Sequence, residues 1–447
     1  MEDRRSEDRI EDLLSLFQKL VTHEVLDEFD VGNSRIFAAW VVVWLMVYQR
    51  LRKGGSLALA VAELTEGITS RKLPDCKRTR DGKISANTAA YSQARSDLSR
   101  DAAERVVDVV SQTLIASRGL LWKGRRVFLF DGTTITLEHR PELVKAYPPA
   151  NNLQGSSPWP VVLVLTAHEL TSGLAMRPHY GPMYGDLAVG ETELARRSLA
   201  ELKTPAMIVS DCNFGIFSLT RAAVDAGHDV LVRMTDARFK AVLRQAEQVR
   251  PGEWRVLWRP SAWDLKRNRE VAADAAVRGR LIESTIVHET KTIVLRLFTT
   301  DMSSSVDELV ALYAKRWLIE DDIRNLKQTL GMKWLSGRSV DMVDKEILLG
   351  IAAYNLVIEV RRLAADRAQV EPRRLSFRRI LYLVQAYASV PSATETTEEA
   401  NARFERLLIH AGQCRLPNRK KFRSYPREVI QRRQQFPKRK LGSVQKN

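Results

Sequence analysis

The run Val127–Phe130 (VFLF) ends on Asp131, and the run Met207–Ser210 (MIVS) ends on Asp211. Each is a short, unbroken apolar stretch, the pattern of a strand buried on both faces. Around them strands and helices alternate. Val161–Thr166 (VVLVLT) and Leu174–Pro178 read as strands with a turn at Thr171–Gly173. Glu191–Leu202 and Leu219–Ala226 read as helices, and Val230–Met234 and Thr292–Thr299 as strands. This alternation predicts an α/β sheet with a buried centre.

Outward from that centre the texture changes. Residues 9–120 read as helical, with Asn33–Ser34 able to cap a helix that holds the apolar run Ile36–Tyr48. Those 13 residues are too few for a bilayer, which needs about 20, so a buried helix is expected. Arg71–Lys83 reads as a basic loop. Arg238–Lys291 is polar, with strand-like pieces at Trp254–Trp258 and Val277–Glu283, and reads as an insertion. One long helix is expected over about Val306–Leu330, with others at Val343–Ala365 and Phe377–Tyr387. From Arg415 to Asn447 stand twelve Lys or Arg and one acid, Glu428. Such an arm suits a polyanion, although a solubilising tail has the same composition.

Across 447 residues, 45% are hydrophobic, which excludes wholesale disorder. The formal charge of +16 points to nucleic acid or an acidic membrane surface. Cys76, Cys212 and Cys414 are scattered and odd in number, so they suggest neither a disulfide framework nor a metal pair. The N-terminal MEDRRSEDRIEDLL has no signal-peptide pattern. The cytosol is the expected compartment, and no membrane partner is expected.

A carboxylate at the mouth of a buried sheet needs compensation, because desolvating its charge costs several kcal/mol. A cation supplies it, although strand-end turns also favour aspartate. The long helix bears on the choice. At about 100° per residue, Tyr313, Arg316, Glu320 and Lys327 share one stripe roughly 60° wide. Leu312, Ile319, Ile323, Leu326 and Leu330 form the neighbouring apolar face. A glutamate beside two cations and a phenol suits a metal ligand next to phosphate. Intrahelical pairing of Arg316 with Glu320 is the plainer reading of that stripe alone.

The spacing Tyr313-x2-Arg316-x3-Glu320-x6-Lys327 resembles the Y-R-E-K signature of the insertion-sequence-4 family of bacterial transposases. WKGRRVFLFDGTTITL (122–137) looks like that family's first-aspartate segment, and MIVSDCNFGIFSL (207–219) like its second. SANTAAYSQARSDLS (85–99) is similar to part of its N-terminal region. The likeness runs, with gaps, over about 30–390. After Asp211 the chain has Cys-Asn-Phe-Gly where the family has Arg-Gly-Phe. The position matching a base-stacking tryptophan of some relatives falls at about Leu295, with Trp254, Trp258 and Trp263 as alternatives.

The resemblance implies a ribonuclease H-like mixed sheet flanked by helices. It divides the chain into a helical DNA-binding domain over 1–120, a catalytic domain over 121–390 with a β-rich insertion at about 236–291, and a basic tail over 391–447. Asp131, Asp211 and Glu320 match the family's acidic triad. Tyr313, Arg316 and Lys327 match positions that hold transposon-end DNA. The implied chemistry uses two Mg²⁺ ions, with Mn²⁺ as a substitute, roughly 3.5–4 Å apart; Asp131 bridges them, and Asp211 and Glu320 each complete one. The implied partners are the double-stranded terminal inverted repeats, target DNA and a second copy of the chain in a synaptic homodimer. The implied setting is the bacterial nucleoid. A structure-selective nuclease on the same scaffold, or a transposase-derived DNA-binding protein, would share many of these features.

Overall fold

A computed structural model describes residues 12–417, apart from 31–35, 53–54, 67–72, 74–76, 82, 118–121, 153–154, 204, 269, 289–290 and 390–394. The expected cap at Asn33–Ser34 and most of the basic arm therefore lie outside the described residues. The strands are β1 (Arg126–Thr136), β2 (Asn151–Asn152), β3 (Gly155–Ser156), β4 (Val161–Glu169), β5 (His179–Pro182), β6 (Ala206–Ser210), β7 (Asp229–Arg233), β8 (Ala246–Arg250), β9 (Glu253–Trp258), β10 (Val277–His288) and β11 (Lys291–Thr299). Among the described residues, nine of them form one sheet in the order β5-β4-β1-β6-β7-β11-β10-β9-β8, and β2 pairs with β3.

The centre of the sheet carries the ribonuclease H-like arrangement. β5, β4 and β1 are antiparallel neighbours, whereas β1, β6 and β7 run parallel. The sequence between Asp211 and Glu320 adds β11, β10, β9 and β8 to the edge of this same sheet, so the β-rich insertion extends the central layer. Trp258 packs on Phe217 and Phe298, with ring centroids 5.6 and 4.9 Å apart, and Leu295 is buried. Both belong to the core. Leu174–Pro178, expected as a strand, is irregular, and β5 begins at His179. The stretch keeps one antiparallel bridge to β4, with Glu169 N donating to Leu174 O and Met176 N to Ala167 O, while on its outer side Asn355 accepts from Ala175 N (2.9 Å) and donates to Ala175 O (2.7 Å).

The helices are α1 (Leu13–Leu20), α2 (Ala39–Leu51), α3 (Leu57–Glu66), α4 (Ala89–Asp97), α5 (Arg100–Ala116), α6 (Glu191–Glu201), α7 (Phe217–Asp225), α8 (Asp236–Leu243), α9 (Val306–Ala314), α10 (Leu318–Arg324), α11 (Val340–Arg367), α12 (Phe377–Tyr387) and α13 (Thr397–Gly412), with short helical turns between them. The described residues up to Arg415 form one compact unit. The boundaries expected at 120 and 390 fall inside it. Trp40, Trp44, Val106 and Val110, before residue 120, share a core with Tyr354, Ile358, Phe377 and Leu381. The apolar run is thereby accounted for: every residue of α2 is buried, and Trp40 Nε1 donates to Val21 O at 2.8 Å. The stretch expected as a basic tail begins with α13, because Phe404, Leu407, Leu408 and Ala411 recur at helical spacing and are buried.

Candidate active site

Side chains alternate across a strand, so one face of β1 carries Phe128 and Phe130 and the other Val127 and Leu129. The first face packs on Leu194 and Leu199 of α6 and Phe217 of α7. The second, with Met207 and Val209 of β6, packs on Leu309, Leu312 and Tyr313 of α9 and Ile319 of α10. Register places Phe130 opposite Ser210. One step further, Asp131 and Asp211 therefore continue the α9–α10 face side by side. Asp211 follows β6 directly. Asp131 is not at a strand end: β1 runs on to Thr136 against β4, and Asp131 marks the point where parallel pairing with β6 stops.

The segment after Asp211 turns sharply. Asp211 Oδ1 accepts from Asn213 N at 2.8 Å, Phe214 is buried, and a Cβ on Gly215 would collide with the carbonyl of Arg233. The Cys-Asn-Phe-Gly departure from the family pattern thus still makes a tight turn, with its glycine where backbone approaches backbone. Burial pushes the Asp131 carboxyl up to about 6; the Gly132 amide works against that, the charges of Asp211 and Glu191 add to it, and Arg316 opposes it.

The helix expected as one uniform rod changes winding three times. α9 starts on a capping box, in which Ser305 Oγ accepts from Glu308 N and Glu308 Oε2 from Ser305 N. Lys315–Trp317 forms a 3-10 turn, α10 follows, and Asn325–Thr329 is π-helical, closed by Leu330 N donating to Asn325 O at 2.8 Å. At three residues per turn, each 3-10 residue advances about 120°. The wheel drawn from sequence is therefore distorted on both sides of Glu320. Tyr313 is buried beside Asp211, and its hydroxyl is pushed up to about 12, chiefly by burial. Arg316 is also buried. Its Nη2 lies 3.4 Å from Glu320 Oε1, and its guanidinium lies over the Trp317 ring at 4.4 Å. Lys327 sits in the π turn beside Lys333, its ammonium pushed down by burial and by that neighbour. The apolar face holds the helix: burying Ile319 is worth about 1.5–3 kcal/mol, against at most about 1 kcal/mol for a partly exposed ion pair such as Arg316–Glu320.

Asp131, Asp211, Tyr313 and Arg316 thus lie within electrostatic reach of one another, and Glu320 joins them through Arg316. Lys327 stands further along the helix. Hard carboxylate oxygens suit Mg²⁺ or Mn²⁺, and burial together with the neighbouring Asp211 charge makes ionising Asp131 costly, which a divalent ion would relieve. Among the described residues, however, no three His, Cys, Asp or Glu side chains are grouped closely enough to hold an ion. Two neighbours were not singled out from sequence. Trp317 is 61% exposed, and its place directly after Arg316 was the available signal. Glu191, the first residue of α6, reaches Gly132 across 59 positions, and nothing local marks it.

The charge on Asp131 has a stability consequence. Its carboxyl holds a proton more tightly folded than unfolded, so ionisation above about pH 6 disfavours the native state. Asp131→Asn is therefore expected to stabilise the protein at pH 7.5 in EDTA by about 1–3 kcal/mol. Urea unfolding should show that gain shrinking as the pH drops from 7 to 5; a pH-independent effect would contradict the burial of this charge.

The family described as "Transposase DDE domain" matches residues 122–356. The transposase InsG for insertion sequence element IS4 of Escherichia coli strain K12 is 26% identical over 358 residues, 78% of each chain. Among solved structures, the piggyBac transposase synaptic complex with hairpin DNA is similar at a TM-score of 0.42 and 12% identity, over 89% of this chain and 86% of that one.

Proposed function

Because the chain belongs to the DDE transposases, on the insertion-sequence-4 side of that family, we propose that it cuts transposon ends and joins the freed 3′-OH to target DNA with Asp131, Asp211 and Glu320 as its acidic triad. The observation that supports this reading is the position of Asp131 and Asp211, each one residue beyond the Phe130–Ser210 pair of β1 and β6, with Arg316 reaching both Asp131 and Glu320 electrostatically.

Enzymes of this family use divalent ions. Two Mg²⁺, or Mn²⁺ in their place, would neutralise charge at the scissile phosphate and at the leaving oxygen. Asp131 and Asp211 would hold them on the sheet, and Glu320 would complete the set after leaving Arg316. Released from Glu320, the Arg316 guanidinium would take a phosphate oxygen, its preferred partner geometry. Lys327, with Lys333 beside it, would grip the backbone further along. The Tyr313 hydroxyl would position the strand by hydrogen bond. Trp317, with Arg316 on one side and solvent on the other, offers a face on which a base can stack. The bound DNA would be terminal inverted repeat and target, held by a synaptic homodimer at the nucleoid of the cytoplasm. The likeness to the family favours a hairpin route for second-strand cleavage.

The test is incubation of the full chain with a pre-cleaved end duplex, a target plasmid and Mg²⁺. Joined product is expected, and it should vanish in EDTA. Cutting of uncleaved ends without any joining would favour the structure-selective nuclease.

A further inference from the structure

Beyond the π turn the chain folds back on itself. Gly331, at φ +84°, takes the left-handed conformation that ends a helix, and Met332 N and Lys333 N donate back to Leu326 O (3.3 Å) and Lys327 O (2.9 Å). This reversal sets Lys333 beside Lys327, whose ammonium is pushed down by burial and by this neighbour. Neither ammonium has a carboxylate partner among the described residues. Lys333 Nζ lies 5.2 Å from the centre of the Trp334 ring, and Trp334 is 46% exposed. The loop is held from beneath. Met332 is buried where Gly350 of α11 has no side chain, and a Cβ there would collide with its Sδ. Arg50 of α2, itself buried, donates from Nη1 to Gly331 O (3.2 Å) and Trp334 O (3.3 Å), and from Nη2 to Glu346 (3.5 Å). Glu346 also accepts from Ser336 N at 2.7 Å.

A buried ion pair is costly to assemble, and here it fixes a loop whose outward side is a half-exposed indole beside two cations without acid partners. An indole gains by burial, and this one is held in water. The partner that suits such a ledge is anionic and also offers flat apolar surface. The DNA backbone has both, in its phosphates and its deoxyribose rings. We propose that Lys333 and Trp334 form a further DNA contact on the strand that Lys327 holds: the two ammoniums take phosphates, and the indole packs on a deoxyribose of the same strand. Such a contact fixes register and carries no sequence information. The inference rests on the reading of Lys327 as a residue that grips DNA.

The experiment measures binding of the full chain, in EDTA, to a pre-cleaved end duplex and to an unrelated duplex of equal length across a range of salt. Lys333→Ala should lower the slope of log affinity against log salt by about one. Trp334→Ala should weaken binding to both duplexes about tenfold at every salt concentration with the slope kept, the worth of roughly 55 Å² of ring covered by DNA. Trp334→Phe should recover most of that loss. Lys327→Ala is the control. If it keeps both affinity and slope, the DNA-gripping assignment of Lys327 fails and this contact with it. If Lys327→Ala flattens the slope while Lys333→Ala and Trp334→Ala bind like wild type, the new contact alone is overturned. A loss for Trp334→Ala confined to the end duplex would show that the ring reads bases and would overturn the backbone assignment. Unchanged DNA affinity with a shifted sedimentation coefficient would overturn it in favour of a protein interface.

Discussion

Replacing Asp131, Asp211 or Glu320 by alanine is expected to lower strand cleavage by about a thousandfold or more while the chain still binds end DNA in EDTA. The magnitude follows from what each carboxylate supports. Divalent ions contribute several kcal/mol at the transition state, and each 1.36 kcal/mol is about a factor of ten in rate. Binding persists because it rests on cations elsewhere: the chain carries 70 Lys and Arg against 54 acids, and phosphate contacts dominate affinity for DNA. Asp131→Ala should also leave the fold intact or firmer, since burial makes the Asp131 charge costly to the ion-free protein. Gel assays of nicked product and of end binding, run side by side, read both quantities. Near-normal cleavage by any one of the three variants removes that residue from the triad.

Arg373→Ala is expected to destabilise the protein by about 3–5 kcal/mol, the cost of stranding a buried charge. Asp322 lies on α10, two residues after Glu320, and is 1% exposed. Arg373 Nη1 and Nη2 donate to its two carboxylate oxygens at 2.9 and 2.7 Å. The same guanidinium donates to the carbonyls of Glu169, the last residue of β4, and of Leu170 just after it. The pair therefore ties the helix that carries Glu320 to the sheet that carries Asp131. A surface pair would contribute under about 1 kcal/mol; burial and bidentate geometry set this one apart. A lower urea midpoint at unchanged slope is the expected signature. Replacing both partners by apolar residues of similar volume should recover most of the loss, because no charge is then left alone. A loss below about 1 kcal/mol for Arg373→Ala would show that Asp322 reaches water.

The sheet was largely legible, because β1, β4, β6 and β11 are apolar runs whose composition admits few other structures. The strand order was not, since pairing of β7 with β11 joins residues about 65 positions apart by a register that no local pattern encodes. The helix that carries Glu320 was legible as an element through its apolar spacing, whereas its capping box of Ser305 and Glu308 came from the structure. Its 3-10 and π turns were not, because winding there answers to packing on the sheet. Asp131 and Asp211 stood out because each follows an unbroken apolar run, but it is the register of β1 on β6 that puts them on one face. Glu191, Asp322 and Arg373 escaped notice for one physical reason: their partners are distant in sequence, and an isolated charged residue looks like surface. The core shared by α2, α5, α11 and α12 was hidden likewise, since periodicity reports that a helix has an apolar face but not what covers it.

The account stands on the convergence of Asp131, Asp211 and Glu320 around divalent ions when DNA is present. Crystals of the chain with a pre-cleaved end duplex, soaked in Mn²⁺ and measured for anomalous scattering, test this directly. The predicted result is anomalous density bounded by all three carboxylates, with Arg316 turned from Glu320 to a phosphate. Density held by the two aspartates while Glu320 stays on Arg316, or no density at the sheet mouth, would contradict it.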